Sequence, residues 1–137
     1  MKGVSFLKKI SFLFVFCLCI GLFINIASAA IFYNHFSFEA VGDYDIGVEA
    51  NLTSSPSVVV NHYQTDADAQ LGISVQSKKF LVGWGIDARS NVWIKGETRT
   101  VVDFFGLSSK TYRPVLVFNA TNDGKAVEGE YYITNAL

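Results

Sequence analysis

The sequence predicts an all-β protein: a single-domain antiparallel β-sandwich of about eight strands. Three observations carry that expectation. Apolar and polar residues alternate with period two along most of the chain, and no helical period competes with it. Val, Ile, Thr and aromatic residues fill these runs, as a pleated, half-buried surface favours. Clusters of Gly, Asn, Asp, Ser and Pro interrupt them at short intervals. Ig-like and jelly-roll connections both remain open. A small up-and-down β-barrel is the alternative, because the turns after Gln76, Ala88 and Asn122 are short enough for a meander.

The first element is not a strand. Lys2, Lys8 and Lys9 precede an apolar stretch from Ile10 to Ile26, closed by Ala27-Ser28-Ala29. A basic head, an apolar middle and a small-residue exit describe a secretory signal peptide over residues 1–29. An extracellular domain over 30–137 and secretion of the product are therefore expected. The alternative is a membrane anchor formed by an uncleaved N-terminal segment, since the stretch is at the short limit of a bilayer span. Cys17 and Cys19 both fall within it, so the mature domain is free of cysteine and must fold on its core alone.

Strands are expected near 31–39, 44–52, 57–64, 70–76, 79–88, 91–104, 111–118 and 126–134. Tyr44, Ile46, Val48, Ala50 and Leu52 alternate with polar residues or glycine; Leu71, Ile73 and Val75 do the same. Phe80, Val82, Trp84, Ile86 and Ala88 share one face of the fifth run, which assigns Trp84 to the core. Pro114 cannot donate to a ladder, so its strand is expected at a sheet edge. Asp123-Gly124, between two alternating runs, is the strongest hairpin signal.

Charge divides the chain. From residue 30 to 76 there are six acids and no Lys or Arg; from 77 onward eight basic residues meet six acids. Salt bridges exchanged between neighbouring strands are the expected use of that imbalance. No concentrated basic surface suits nucleic acid. Charges and glycines interrupt the outer face of the 79–104 run, so no membrane insertion is expected after signal cleavage.

Candidate chemistry is sparse, no cofactor is implied, and an enzyme is not the expected reading. If Val92 and Ile94 point inward, Trp93, Lys95, Glu97 and Arg99 share the opposite face, where a flat ring and hydrogen-bonding charges can recognise a partner. His35 and His62, the only histidines, could meet Asp66 or Asp68 in a metal site if their strands were adjacent. Asp43-x-Asp45 and Asp66-x-Asp68 offer paired carboxylates for calcium. The expected function is a small non-catalytic binding or interaction module that recognises an extracellular glycan or protein partner through an aromatic-centred sheet face. A secreted enzyme inhibitor or small toxin is the rival, and a metal-dependent or carboxylate-based hydrolase comes third.

Overall fold

The computed structural model describes residues 31–63 and 68–136. The signal segment and Asp66 lie outside the described residues. Among the described residues nine strands, all paired antiparallel, form two sheets packed face to face: β1 (Asn34–Phe38), β2 (Tyr44–Ile46), β3 (Ala50–Leu52), β4 (Pro56–His62), β5 (Asp68–Lys79), β6 (Gly83–Lys95), β7 (Thr98–Asp103), β8 (Lys110–Thr121) and β9 (Val127–Asn135). One sheet has the order β1-β9-β4-β7. The other runs β2-β8-β5-β6, with β3 also paired to β8. The all-β sandwich is as expected.

Nested pairing holds the topology together: β1 with β9, β2 and β3 with β8, β4 with β7, and β5 with β6. The two layers meet through their inward residues. Ala69, Leu71, Ile73 and Val75 alternate on β5, and Tyr112, Leu116 and Phe118 supply β8. Phe36, Phe38, Val58, Val60, Tyr131 and Ile133 face them from the other sheet, all buried. Each of the Val, Leu, Ile and Phe side chains among them contributes roughly 1.5–3 kcal/mol on leaving water. Phe38 and Phe118 stack across the layers with centroids 6.3 Å apart.

Several sequence expectations are corrected here, each for a local reason. Pro114 is not on an edge strand, because β8 has partners on both sides. The carbonyl of Pro114 accepts from Gly47 N at 2.9 Å, between β2 and β3. A residue's N and O point to the same neighbour in a strand. The missing N–H therefore falls where that neighbour is interrupted, and the expected 44–52 strand becomes two. Gly47 is required there, since an added Cβ would lie 2.7 Å from the Pro114 ring and 2.9 Å from Tyr131.

Asp123-Gly124 does turn, with Gly124 at φ 69°, yet it makes no hairpin. It carries the chain from β8 in one sheet to β9 in the other. The real hairpin joins β5 to β6 through Phe80–Val82, and a bulge at Asp87 shifts its register opposite Val75 and Gln76. Phe80 and Val82 are consequently turn residues, not members of a strand face.

The expected 91–104 strand is also divided. Gly96, at φ 65°, ends β6 and passes the chain to the opposite sheet as β7. Buried His62 pins this crossing, its Nδ1 donating to the Gly96 carbonyl at 2.6 Å.

Candidate functional site

The outer face of the β2-β8-β5-β6 sheet gathers the side chains best placed to meet a ligand. Register fixes its rows: Gln70 opposite Trp93, Gly72 opposite Asn91, Ser74 opposite Arg89, Gln76 opposite Ile86 and Lys78 opposite Trp84. Trp93 is 51 % exposed, which takes it out of the core. Beside it, Asn119 Nδ2 donates to Asn91 Oδ1 at 2.9 Å. This bond spans β5 at Gly72, where any Cβ would meet the Asn119 amide at 2.7 Å. Glycine therefore opens a shallow groove of about 160 Å³, bordered by Ile86, Arg89, Asn91, Val117 and Asn119. One donor of Asn119 and one acceptor of Asn91 are used internally. The Asn91 amide nitrogen and the Asn119 amide oxygen keep their remaining capacity for a ligand.

Trp84 sits on the same face and not in the core. The Arg113 guanidinium lies 4.4 Å from its ring centroid, and Lys78 Nζ lies 5.5 Å from it. Gln76 Oε1 accepts from Arg113 Nε at 3.0 Å and steadies the stack. The bulge at Asp87 explains the misreading: an extra residue reverses which side the following positions face.

The four residues expected on one binding face do not share it. Trp93 and Lys95 project from β6. Glu97 is exposed in the connection after Gly96, and Arg99 lies on β7 in the other sheet, where its Nη2 donates to the Tyr132 hydroxyl at 3.3 Å. Arg99 instead borders a groove of about 270 Å³ with Val59, Val101, Asp103 and Tyr132. Ser57 donates to Asp103 along its side.

The expected metal ligands are also apart. β1 and β4 flank β9 and are not neighbours. His35 is exposed opposite Glu130, whereas His62 is buried on the inward side opposite Gly129. Asp68 belongs to the other sheet, and its Oδ2 accepts from Asn122 Nδ2 at 3.2 Å. Among the described residues no group of three or more His, Cys, Asp or Glu could hold a metal ion.

The first aspartate pair divides its work. Asp43 Oδ2 accepts from the backbone N–H groups of Glu39 and Ala40 at 2.8 and 2.9 Å. Ala40 first, then Glu39, hold its carboxyl below the usual range. Asp45 turns inward, accepting at 2.6 Å from the hydroxyl of fully buried Tyr131. Burial, then the bond and charge of Asp45, push the Tyr131 phenol up.

One charged cluster escaped sequence reasoning altogether. Asp87, its side chain 8 % exposed, pairs with Lys79 and with Lys110 at 3.3 Å. Burial pushes its carboxyl up, but Lys79, the nearby Ser77 hydroxyl and Lys110 outweigh this and hold it low. The bulge alone brings Asp87 inward, and no spacing in the sequence announces it.

Charge is sorted between the outer faces more than expected. Lys78, Arg89, Lys95 and Arg113 lie on the sheet of Trp93, with Asp68. Asp103, Glu128 and Glu130 lie on the other, with Arg99. A comparison with protein-family models and with curated proteins finds no match.

Proposed function

We propose that this chain is a small secreted, non-catalytic binding module that recognises a glycan through the outer face of the β2-β8-β5-β6 sheet. The observation that carries the reading is the Asn119–Asn91 hydrogen bond over Gly72, beside exposed Trp93. A sugar ring presents an apolar face edged by hydroxyls, each both donor and acceptor. Trp93 offers a flat surface for that face. The Asn91 amide nitrogen can still donate and the Asn119 amide oxygen can still accept, which suits sugar hydroxyls that do both. Because these amides already bind each other, little side-chain entropy is lost when a ligand arrives.

The nested strand pairing supports a jelly-roll connection in this reading, an architecture that also serves lectin domains. That likeness is of scaffold only, since folds host many functions. Export by residues 1–29 belongs to the same proposal.

Glycan-array screening followed by titration calorimetry tests it. Trp93→Ala and Asn91→Ala should each weaken binding by about tenfold or more, as loss of a stacked ring or a ligand-facing amide does, with the melting temperature unchanged. Absence of any glycan binding, with capture of a specific protein dependent on Trp93, would move the reading to a protein partner. Protease or growth inhibition without glycan binding would favour the inhibitor or toxin, and hydrolytic turnover the hydrolase.

A further inference from the structure

The end of the sandwich where β5 turns into β6 presents apolar side chains to solvent. Phe80 is 91 % exposed, Leu81 89 % and Val82 75 %, and Phe105 in the β7–β8 connection is 72 % exposed. Register brings the two segments to one end. The turn lies beyond the Lys79–Gly83 pair, and Gln76 opposes Arg113 near the start of β8. Leu81 also has φ 69°, a left-handed conformation that asparagine or glycine adopts at less cost than leucine. An apolar residue is thus kept where both water and backbone sterics disfavour it.

Behind this apex stands a basic belt. Lys78, Lys79, Lys110 and Arg113 surround the base of the hairpin; Asp87 pairs with Lys79 and Lys110, Glu49 lies by register beside the Arg113 stretch of β8, and Asp103 closes β7 at the same end. Trp84 lies in the same belt beneath Arg113 and Lys78.

We propose that this apex docks onto an anionic lipid bilayer, with Phe80, Leu81 and Val82 entering the acyl boundary and Phe105 beside them. The order of side chains along the sandwich axis carries the inference: apolar apex first, then tryptophan and cations. A bilayer presents hydrocarbon, interface and negatively charged headgroups in the matching order. Lys78 and Arg113, lying over Trp84, supply the charge that meets the headgroups, while Lys79 and Lys110 are held by Asp87. The apex lies beyond the Trp93 face, although Lys78, Trp84 and Arg113 of the belt share that face, and the proposal does not rest on the glycan reading. A spanning ribbon needs about 9–11 apolar-faced residues per strand; a docking apex needs only these few.

Trp93→Phe leaves Trp84 as the single tryptophan, a reporter at the base of the apex. Its emission is followed as the full chain is added to phosphatidylcholine vesicles with and without phosphatidylglycerol. A blue shift with quenching by brominated acyl chains is expected on the phosphatidylglycerol vesicles, weakening as salt rises. Phe80→Ser and Leu81→Asn should each reduce this partitioning about tenfold, and Leu81→Asn should do so without lowering the melting temperature. No shift at low salt, equal partitioning into both vesicle types, or undiminished partitioning of both variants would each overturn the proposal.

Discussion

Replacing Tyr131 by phenylalanine tests how the two layers are tied. Tyr131 stands on β9 with its ring fully buried, and its hydroxyl reaches Asp45 on β2 in the opposite sheet at 2.6 Å. Phenylalanine keeps the ring, so no cavity opens and the loss is that of one hydrogen bond to a charged group. Such bonds contribute about 1.5–3 kcal/mol. Asp45 is half-buried and can rehydrate once released, which places the cost near the lower limit, about 1.5 kcal/mol. With a urea slope of about 2 kcal/mol/M, the unfolding midpoint should fall by about 0.7 M. Asp45→Asn and the double variant complete a cycle whose coupling should be about 1 kcal/mol. A loss below about 0.5 kcal/mol, or strictly additive effects, would refute the cross-layer tie.

Three further outcomes follow from the same geometry. Gly129→Ala should cost at least about 2 kcal/mol, measured by thermal unfolding, because the new Cβ would lie 2.2 Å from the Asn61 carbonyl oxygen and 2.9 Å from the Phe36 ring. Asp87→Asn should destabilise by about 1–2 kcal/mol, by removing a carboxylate that two lysines share. Because the folded Asp87 carboxyl is held low, its contribution is complete above the ordinary aspartate range and is lost as pH falls. The variant should therefore show a shallower acid limb in a stability–pH profile. At the other extreme, the raised Tyr131 phenol keeps its proton while the unfolded chain releases one above about pH 10. Stability should decline as pH rises beyond that point, and Tyr131→Phe should flatten the decline in urea titrations at high pH.

Period-two patterning exposed the sandwich because alternation on β5 is uninterrupted: Ala69, Leu71, Ile73, Val75 and Ser77 are all buried. It failed where the backbone departs from the simple pleat. The Asp87 bulge changes the facing of Trp84 and Ile86, and alternation carries no mark of one inserted residue. Gly96 falls inside the expected 91–104 strand, yet its positive φ marks where β7 leaves for the other sheet. Trp93 was identifiable because its neighbours Val92 and Ile94 set the facing correctly over a short, regular stretch. Arg99 was assigned to the same face by extending that count across the glycine. Asn91 and Asn119 were hidden for another reason: they meet only through the three-strand order β6-β5-β8, which local patterning does not encode. Phe80–Val82 read as strand because apolar residues at a turn contradict the usual turn chemistry.

The bulge has one more consequence, for colloidal behaviour. β6 is outermost in its sheet and thirteen residues long, a length at which a bare border invites a foreign strand to add on. Asp87 divides that border into two stretches of different register, while Arg89 and Lys95 place like charges along it. A neighbouring molecule aligned with one stretch is misaligned with the next, so the border discourages fibril growth in a domain with no sulfur cross-link to restrain it.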